Sequence, residues 1–119
     1  MFTILEIQRP TDWDNVVTVS DGTFVLTFDT HDKLEVGSEI DGIIDAWDID
    51  NLYKSDLHEF HIGFNEMNQK QYLNGQVIDA SKHLVLVGKY KIEVFGEFPG
   101  DIMTGDFVEF DVGHFNFYL

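Results

Sequence analysis

Short runs of alternating apolar and polar residues, punctuated by turn signals and with few stretches of helical spacing, predict an all-β domain. Two particular stretches carry the prediction. Asp21-Gly22 stands between two runs rich in Val, Thr and Phe, the pattern of a tight hairpin. Leu84 to Val87 is a continuous apolar run of strand length, as expected for a strand covered on both sides. Several such strands build a small closed or nearly closed structure, a β-barrel or else a β-sandwich, with room for one short helix. At 119 residues, 44% of them hydrophobic and 14% aromatic, the chain reads as a single β domain, 1–119, able to bury its own core.

Phe2 to Ile7 forms the first predicted strand and stops at Arg9-Pro10, because proline has no amide hydrogen for a sheet ladder. Val16–Ser20 and Thr23–Phe28 then pair across a two-residue turn, setting Val19 against Phe24 and Val17 against Leu26. Thr18, Ser20, Thr23, Val25 and Thr27 fall on the opposite, wet face. Ile40, Ile43, Ile44 and Trp47 have helical spacing, but an internal Gly42 and many Ile and Asp residues are weak helix formers. A strand is favoured there, with Ile40, Ile44 and Ala46 on one face and Asp41 and Asp45 on the other.

His58 to Phe64 alternates through Phe60, Ile62 and Phe64 and is the expected partner of that strand, and Asn65 to Leu73 is the place for a short helix. Leu84–Val87 leads through Gly88 into Lys89–Val94, and Pro99-Gly100 marks the next turn. The final strand alternates through Val108, Phe110 and Val112. After Gly113 the apolar phase flips to Phe115, Phe117 and Leu119, which predicts a bulge or sharp bend. Phe24, Phe28, Phe60, Phe64 and Phe110 all sit at core-phase positions.

Val36-Gly37-Ser38-Glu39-Ile40-Asp41-Gly42-Ile43-Ile44 resembles the opening strand of some OB-fold domains, where one Gly precedes the strand and another lets it coil around the barrel. Gly105-Asp106-Phe107-Val108-Glu109-Phe110 resembles a late strand of such a barrel. The resemblance covers these two short segments and implies an OB-like form of the fold.

Charge bounds the partners. Twenty-two Asp and Glu against seven Lys and Arg give a net charge of -15, which repels nucleic acid and anionic membranes and attracts basic proteins or cations. No apolar run is long enough to span a bilayer, and the N-terminus lacks the pattern of a signal peptide, so a cytoplasmic location is expected. The chain has no Cys, which excludes disulfides, thiolate zinc sites and a Cys nucleophile.

The residues capable of chemistry form no catalytic pattern. His31, His58, His61, His83 and His114 are the potential ligands. His58-Glu59-Phe60-His61 has its His residues three apart, where a zinc-protease helix needs four. Asp48, Asp50 and Glu59 match the first, third and twelfth places of a calcium loop, but Leu52 and Tyr53 replace an oxygen ligand and the turn glycine. Ser20, Ser38, Ser55 and Ser81 lack a nucleophile-elbow context, and no phosphate-cradling loop occurs. No catalytic residue, metal or cofactor is therefore expected.

The acids themselves offer the strongest binding surface. Glu35, Glu39, Asp41, Asp45, Asp48, Asp50 and Asp56 crowd one stretch with Trp47 and Tyr53 as aromatic anchors. Trp13, between Asp12 and Asp14, is a similar anchor. The expectation is a non-enzymatic acidic module that masks a basic partner, as inhibitors and immunity proteins mask nucleases. An alternative is an OB-like groove for a small molecule, sugar or oligonucleotide, using Lys82, Lys89, Tyr90 and Lys91 beside His83. A structural or assembly protein, acidic for solubility, is the third class. The sequence is silent on oligomeric state.

Overall fold

A shared strand organises the computed structural model, which describes residues 1–10 and 14–119. The described residues contain ten strands and no helix: β1 (Phe2–Gln8), β2 (Asn15–Ser20), β3 (Val25–Thr30), β4 (Glu39–Ile40), β5 (Ile43–Lys54), β6 (His61–Asn65), β7 (Lys70–Asp79), β8 (Leu84–Val87), β9 (Tyr90–Val94) and β10 (Phe107–Phe117). Five close a barrel in the order β7-β8-β9-β5-β10 and back to β7. Within this ring only β5 and β9 run parallel. Counted from β7, these are the neighbour relations of an OB barrel, entered by the chain at the strand that would otherwise come last. The predicted barrel is therefore present.

Strand β10 has three neighbours. It pairs with β7 from Phe107 to Val112 and with β5 from Val108 to Phe117. Beyond the end of β7, Asn116 pairs with Asp29 of β3. From there β3, β2, β1 and β4 continue as a wing outside the ring, and β6 hangs on β7. The wing stretches the molecule to 42 × 27 × 23 Å. An aromatic cluster joins wing to barrel. Phe2 lies 5.5 Å from Tyr90 and 5.8 Å from Phe117, and Phe28 lies 5.1 Å from Phe117, all fully buried. Each such ring contributes about 2–3 kcal/mol of burial.

The hairpin forms two residues out of the expected register. Val19 pairs with Leu26 and Val17 with Phe28, leaving a four-residue loop from Asp21 to Phe24. The buried Asp21 side chain causes this. Its Oδ1 accepts the amides of Thr23 (2.9 Å) and Phe24 (2.8 Å), and its Oδ2 accepts that of Lys89 (2.8 Å). A two-residue shift preserves facing, so Val17, Val19, Leu26 and Phe28 still enter the core while Phe24 is half-buried.

Three other expectations are corrected. Val36 to Ile44 is not one strand: β4 pairs with β1, and the chain breaks at Asp41-Gly42 before β5 begins. Gly42 has φ 154°, and a Cβ there would stand 2.8 Å from Phe117 Cε1. Ile44 and Ala46 do face inward. Strand β6 pairs with β7 rather than β5, and Phe60 and Phe64 are exposed rather than core.

Nor is Asn65 to Leu73 a helix; it is a turn followed by β7. Asn65 Oδ1 accepts the Met67 amide and Asn68 Oδ1 accepts the Lys70 amide, while Gln69 takes φ 59°. Such side-chain bonds compete with helical ones. The phase flip at Gly113 is present, with Val112 and Phe115 both buried. It occurs opposite Asp48, whose φ is 58°, without a change of register, whereas the bulge lies further along β5 near Asn51 (φ 54°). Leu119 ends exposed.

A buried carboxylate ties these irregular pieces together. Asp111 Oδ2 accepts side-chain amides from Asn51 (2.8 Å), Asn65 (3.1 Å) and Asn68 (2.9 Å), and the residue is 2% exposed. Asp111→Ala is expected to cost roughly 2–3 kcal/mol, moderated because Asn51 can turn to water. Asp111→Asn, which keeps one acceptor oxygen, should cost less; urea unfolding of both variants checks this. Gly75 supplies a second test. A Cβ there would stand 2.5 Å from the Leu86 carbonyl oxygen and 2.6 Å from Val87 Cγ2. Gly75→Ala should therefore destabilise by about 2 kcal/mol in the same assay.

Candidate functional site

Strand alternation and register assemble one outer face. Asp29 projects from β3, Asn116 from β10, Asp45 from β5 and Glu93 from β9, all half-buried. The pairings Asp29–Asn116, Asn116–Asp45 and Asp45–Glu93 set them in a row across four strands. In the next row His114 pairs with Trp47. Beyond β9 the Phe95 amide donates to the Ala46 carbonyl at 2.9 Å, which extends the parallel ladder and carries Phe95 beside Trp47. Their rings stack at 4.0 Å and 8°, with Trp47 41% and Phe95 37% exposed.

Two concavities flank this centre. The first, about 480 Å³, is lined by Asp14, Asp29, His31, His114, Asn116 and Tyr118 among others. His31 Nε2 lies 3.6 Å from Asp14 and His114 Nε2 3.3 Å from Asp29, while His31 stacks with Tyr118 at 6.5 Å. The second, about 440 Å³, is lined by Trp47, Lys82, His83, Glu93 and Phe95 with smaller neighbours. His83 stacks on Phe98 at 4.3 Å, which holds the β7–β8 turn against the segment after β9. Among the described residues no group of three or more His, Asp or Glu could hold a metal ion.

The structure distributes the acids expected to act together. Asp45 and Trp47 lie in the face just described. Asp48 and Asp50 hold Lys70, with Nζ 2.9 Å from Asp48 Oδ1 and 2.7 Å from Asp50 Oδ2. These bonds, to Asp50 first and then Asp48, push the Lys70 pKa up. Glu35 lies in the loop before β4, Glu39 on the β4 edge, and Asp41 is 3.7 Å from the N-terminal amine. Tyr53 is exposed near the end of β5, and Asp56 lines a cavity of about 230 Å³ with Lys54, His58 and Asp106.

The basic set also separates. Tyr90 is a correction, because it is fully buried and its hydroxyl donates to the Phe24 carbonyl at 2.6 Å. Lys89 lies at the β8–β9 turn, Lys91 lies two residues from Glu93 on the outer face of β9, and Lys82 lines the second cavity. Trp13 and Asp12 lie outside the described residues.

Asp29, Glu93, Phe95 and His114 were not singled out as a surface in the sequence. Alternation puts each on an outer face, but which strands lie side by side is set by long-range pairing. No family model, curated protein or solved structure matches the chain.

Partial burial, and then the neighbouring Glu93 charge, push the Asp45 pKa above its ordinary 3.8. The folded state therefore holds an extra proton between 3.8 and that raised value. Stability falls as pH rises through this window and remains reduced above it. Asp45→Asn should consequently stabilise the protein at neutral pH, with the gain disappearing in acid below the ordinary aspartate range. Thermal melts of both proteins across pH measure the difference.

Proposed function

We propose that the chain is a non-enzymatic protein-binding module that engages a basic segment of its partner on the outer face of β3, β10, β5 and β9. The observation that carries this reading is the exposed Trp47–Phe95 stack beside the Asp45–Glu93 carboxylate pair. An arginine suits both features, since its guanidinium stacks on aromatic faces and forks onto carboxylates. A cation seated there would also offset the burial and the Glu93 repulsion that raise the Asp45 pKa. With a net charge of -15 steering the encounter, the partner class this favours is a nuclease or another nucleic-acid-binding protein, masked as an inhibitor or immunity protein masks its target.

The test is affinity capture from lysate of the source organism, with wild type and a Trp47→Ala/Asp45→Asn/Glu93→Gln variant as baits. The expected result is a stoichiometric basic protein, retained by wild type at low salt, weakened by high salt and lost with the variant. Salt acts because the screening length falls from about 8 Å at ~0.15 M to about 3 Å at ~1 M. Recovery of the bait alone, or equal capture by both baits, overturns the proposal.

The second cavity favours one further reading, a polar small molecule or sugar stacked on Trp47. In OB barrels the second and third strands and the loop between the first and second carry ligands. Counted from β7, those are β8, β9 and the turn bearing Lys82 and His83. Lys82→Ala separates the two readings: it should weaken a small polar ligand and leave a basic protein bound at least as tightly.

A further inference from the structure

Three steps of the chain place a glycine after an aspartate or asparagine: Asp21-Gly22, Asp41-Gly42 and Asn74-Gly75. At such a step the glycine nitrogen can attack the preceding side-chain carbon Cγ, because no Cβ shields it and the product is a five-membered ring. The fold closes two of the three. Asp21 is 8% exposed, its oxygens accept the amides of Thr23, Phe24 and Lys89, and the Gly22 amide donates to Ser20 Oγ at 3.0 Å. Asn74 is fully buried, its Nδ2 donates to the Leu57 and Glu59 carbonyls at 2.8 Å each, and Gly75 lies within β7 opposite Val108. The remaining step is open. Asp41 and Gly42 lie between β4 and β5 and belong to neither, and the Asp41 side chain is 59% exposed. The Gly42 amide donates to Asp41 Oδ1 at 3.0 Å, which holds the nitrogen beside Cγ. The ion pair of Asp41 with the N-terminal amine is itself solvent-exposed and does not enclose it.

We infer that Asp41 is a site of spontaneous covalent modification, where the chain isomerises to isoaspartate through a cyclic imide with Gly42. With the carboxyl protonated, a bond forms between the Gly42 nitrogen and Asp41 Cγ, and a Cγ–O bond breaks. That oxygen leaves as water, carrying the amide hydrogen and the carboxyl proton. Water then opens the ring. Attack at Cγ restores aspartate, whereas attack at the Asp41 main-chain carbonyl carbon leaves the chain running through Cβ and Cγ. One water is released and one is consumed, so the reaction needs no oxidant or cofactor and leaves the net charge as it was. The isoaspartyl form adds one methylene to the link between β4 and β5. Phe117 stands close against Gly42, so the added length falls on β4, which β1 holds by two residue pairs. The inference is independent of the basic-partner face, which lies on β3, β10, β5 and β9.

Ageing of the purified full chain in warm neutral buffer over weeks tests it, with peptide mapping by mass spectrometry that separates aspartyl from isoaspartyl peptides. A parallel sample is kept unfolded in guanidinium. The expected result is isoaspartate at Asp41 in both samples. In the folded protein the steps at Asp21 and Asn74 should react roughly tenfold or more slowly than in the unfolded one, because they then need local opening. An isoaspartate methyltransferase with labelled S-adenosylmethionine should mark the aged native protein at the same residue. Asp41→Glu keeps the charge but would need a larger ring, and should abolish the signal there. Asp41→Asn, which loses ammonia instead of water, should speed the reaction. An aged native protein without isoaspartate at Asp41, or one in which Asp21 and Asn74 react as fast folded as unfolded, overturns the inference.

Discussion

The buried carboxylate of Asp111 is the constraint on which much of the rest depends. β10 must serve β7, β5 and β3 at once, and Asp111 sits where its β7 and β5 ladders overlap. A carboxylate so enclosed needs donors, and three asparagine amides supply them. Each donor comes from a place where the backbone departs from a regular strand. Asn51 marks the β5 bulge, and Asn65 and Asn68 bracket the β6–β7 turn. One side chain thereby fixes where β5 slips its register and where β7 begins. The same turn delivers Lys70 to Asp48 and Asp50, so two more acids become part of the frame.

That distinction sorts the acids by how they are used. Asp21 is partly buried, which would raise its pKa, but amides from Phe24, Lys89 and Thr23 together hold it below the ordinary value. Asp79 is held low first by the Ser81 hydroxyl, and Asp106 first by the Met103 amide with Lys54 nearby. Groups with lowered pKa favour the fold above the ordinary aspartate range and lose that contribution as pH falls. Their charge is already matched within the molecule. Asp45 has the opposite sign: burial and Glu93 make its ionised form costly where it stands. An acid kept in an unfavourable setting beside an exposed aromatic stack is the kind of group a cationic partner would relieve. This contrast, rather than the number of acids, gives the β5–β9 face its claim.

Local chemistry was legible in the sequence and long-range pairing was not. Alternation found β1, the inward positions of β5 and the two phases of β10, because burial on one face imposes a period of two. Asp21-Gly22 located the first hairpin, yet the reach of the Asp21 side chain to Lys89, 68 residues away, lengthened its loop. Asn65 to Leu73 was the place expected for a short helix, but the bonds of its asparagines to the turn and to Asp111 decide otherwise. Of the candidate face, Asp45 and Trp47 were visible as an acid beside an aromatic. Glu93 and Phe95 joined them through the parallel β5–β9 ladder, and Asp29 through a single pair with Asn116. No spacing along the chain encodes those neighbours.

Closing five strands into a ring removes their edges, and adding a wing and β6 restores two. One is a two-residue strand that carries Glu39 with Asp41 just beyond it, and the other is bracketed by the exposed Glu59 and Glu66. Carboxylates at the ends of both edge strands discourage pairing with stray strands. Copies that approach one another bring acidic surfaces together. Net charge and charged strand ends thus act together against unspecific self-contact. A basic protein would meet the same field with reversed sign. One charge distribution can therefore hold like molecules apart and bring an unlike one close.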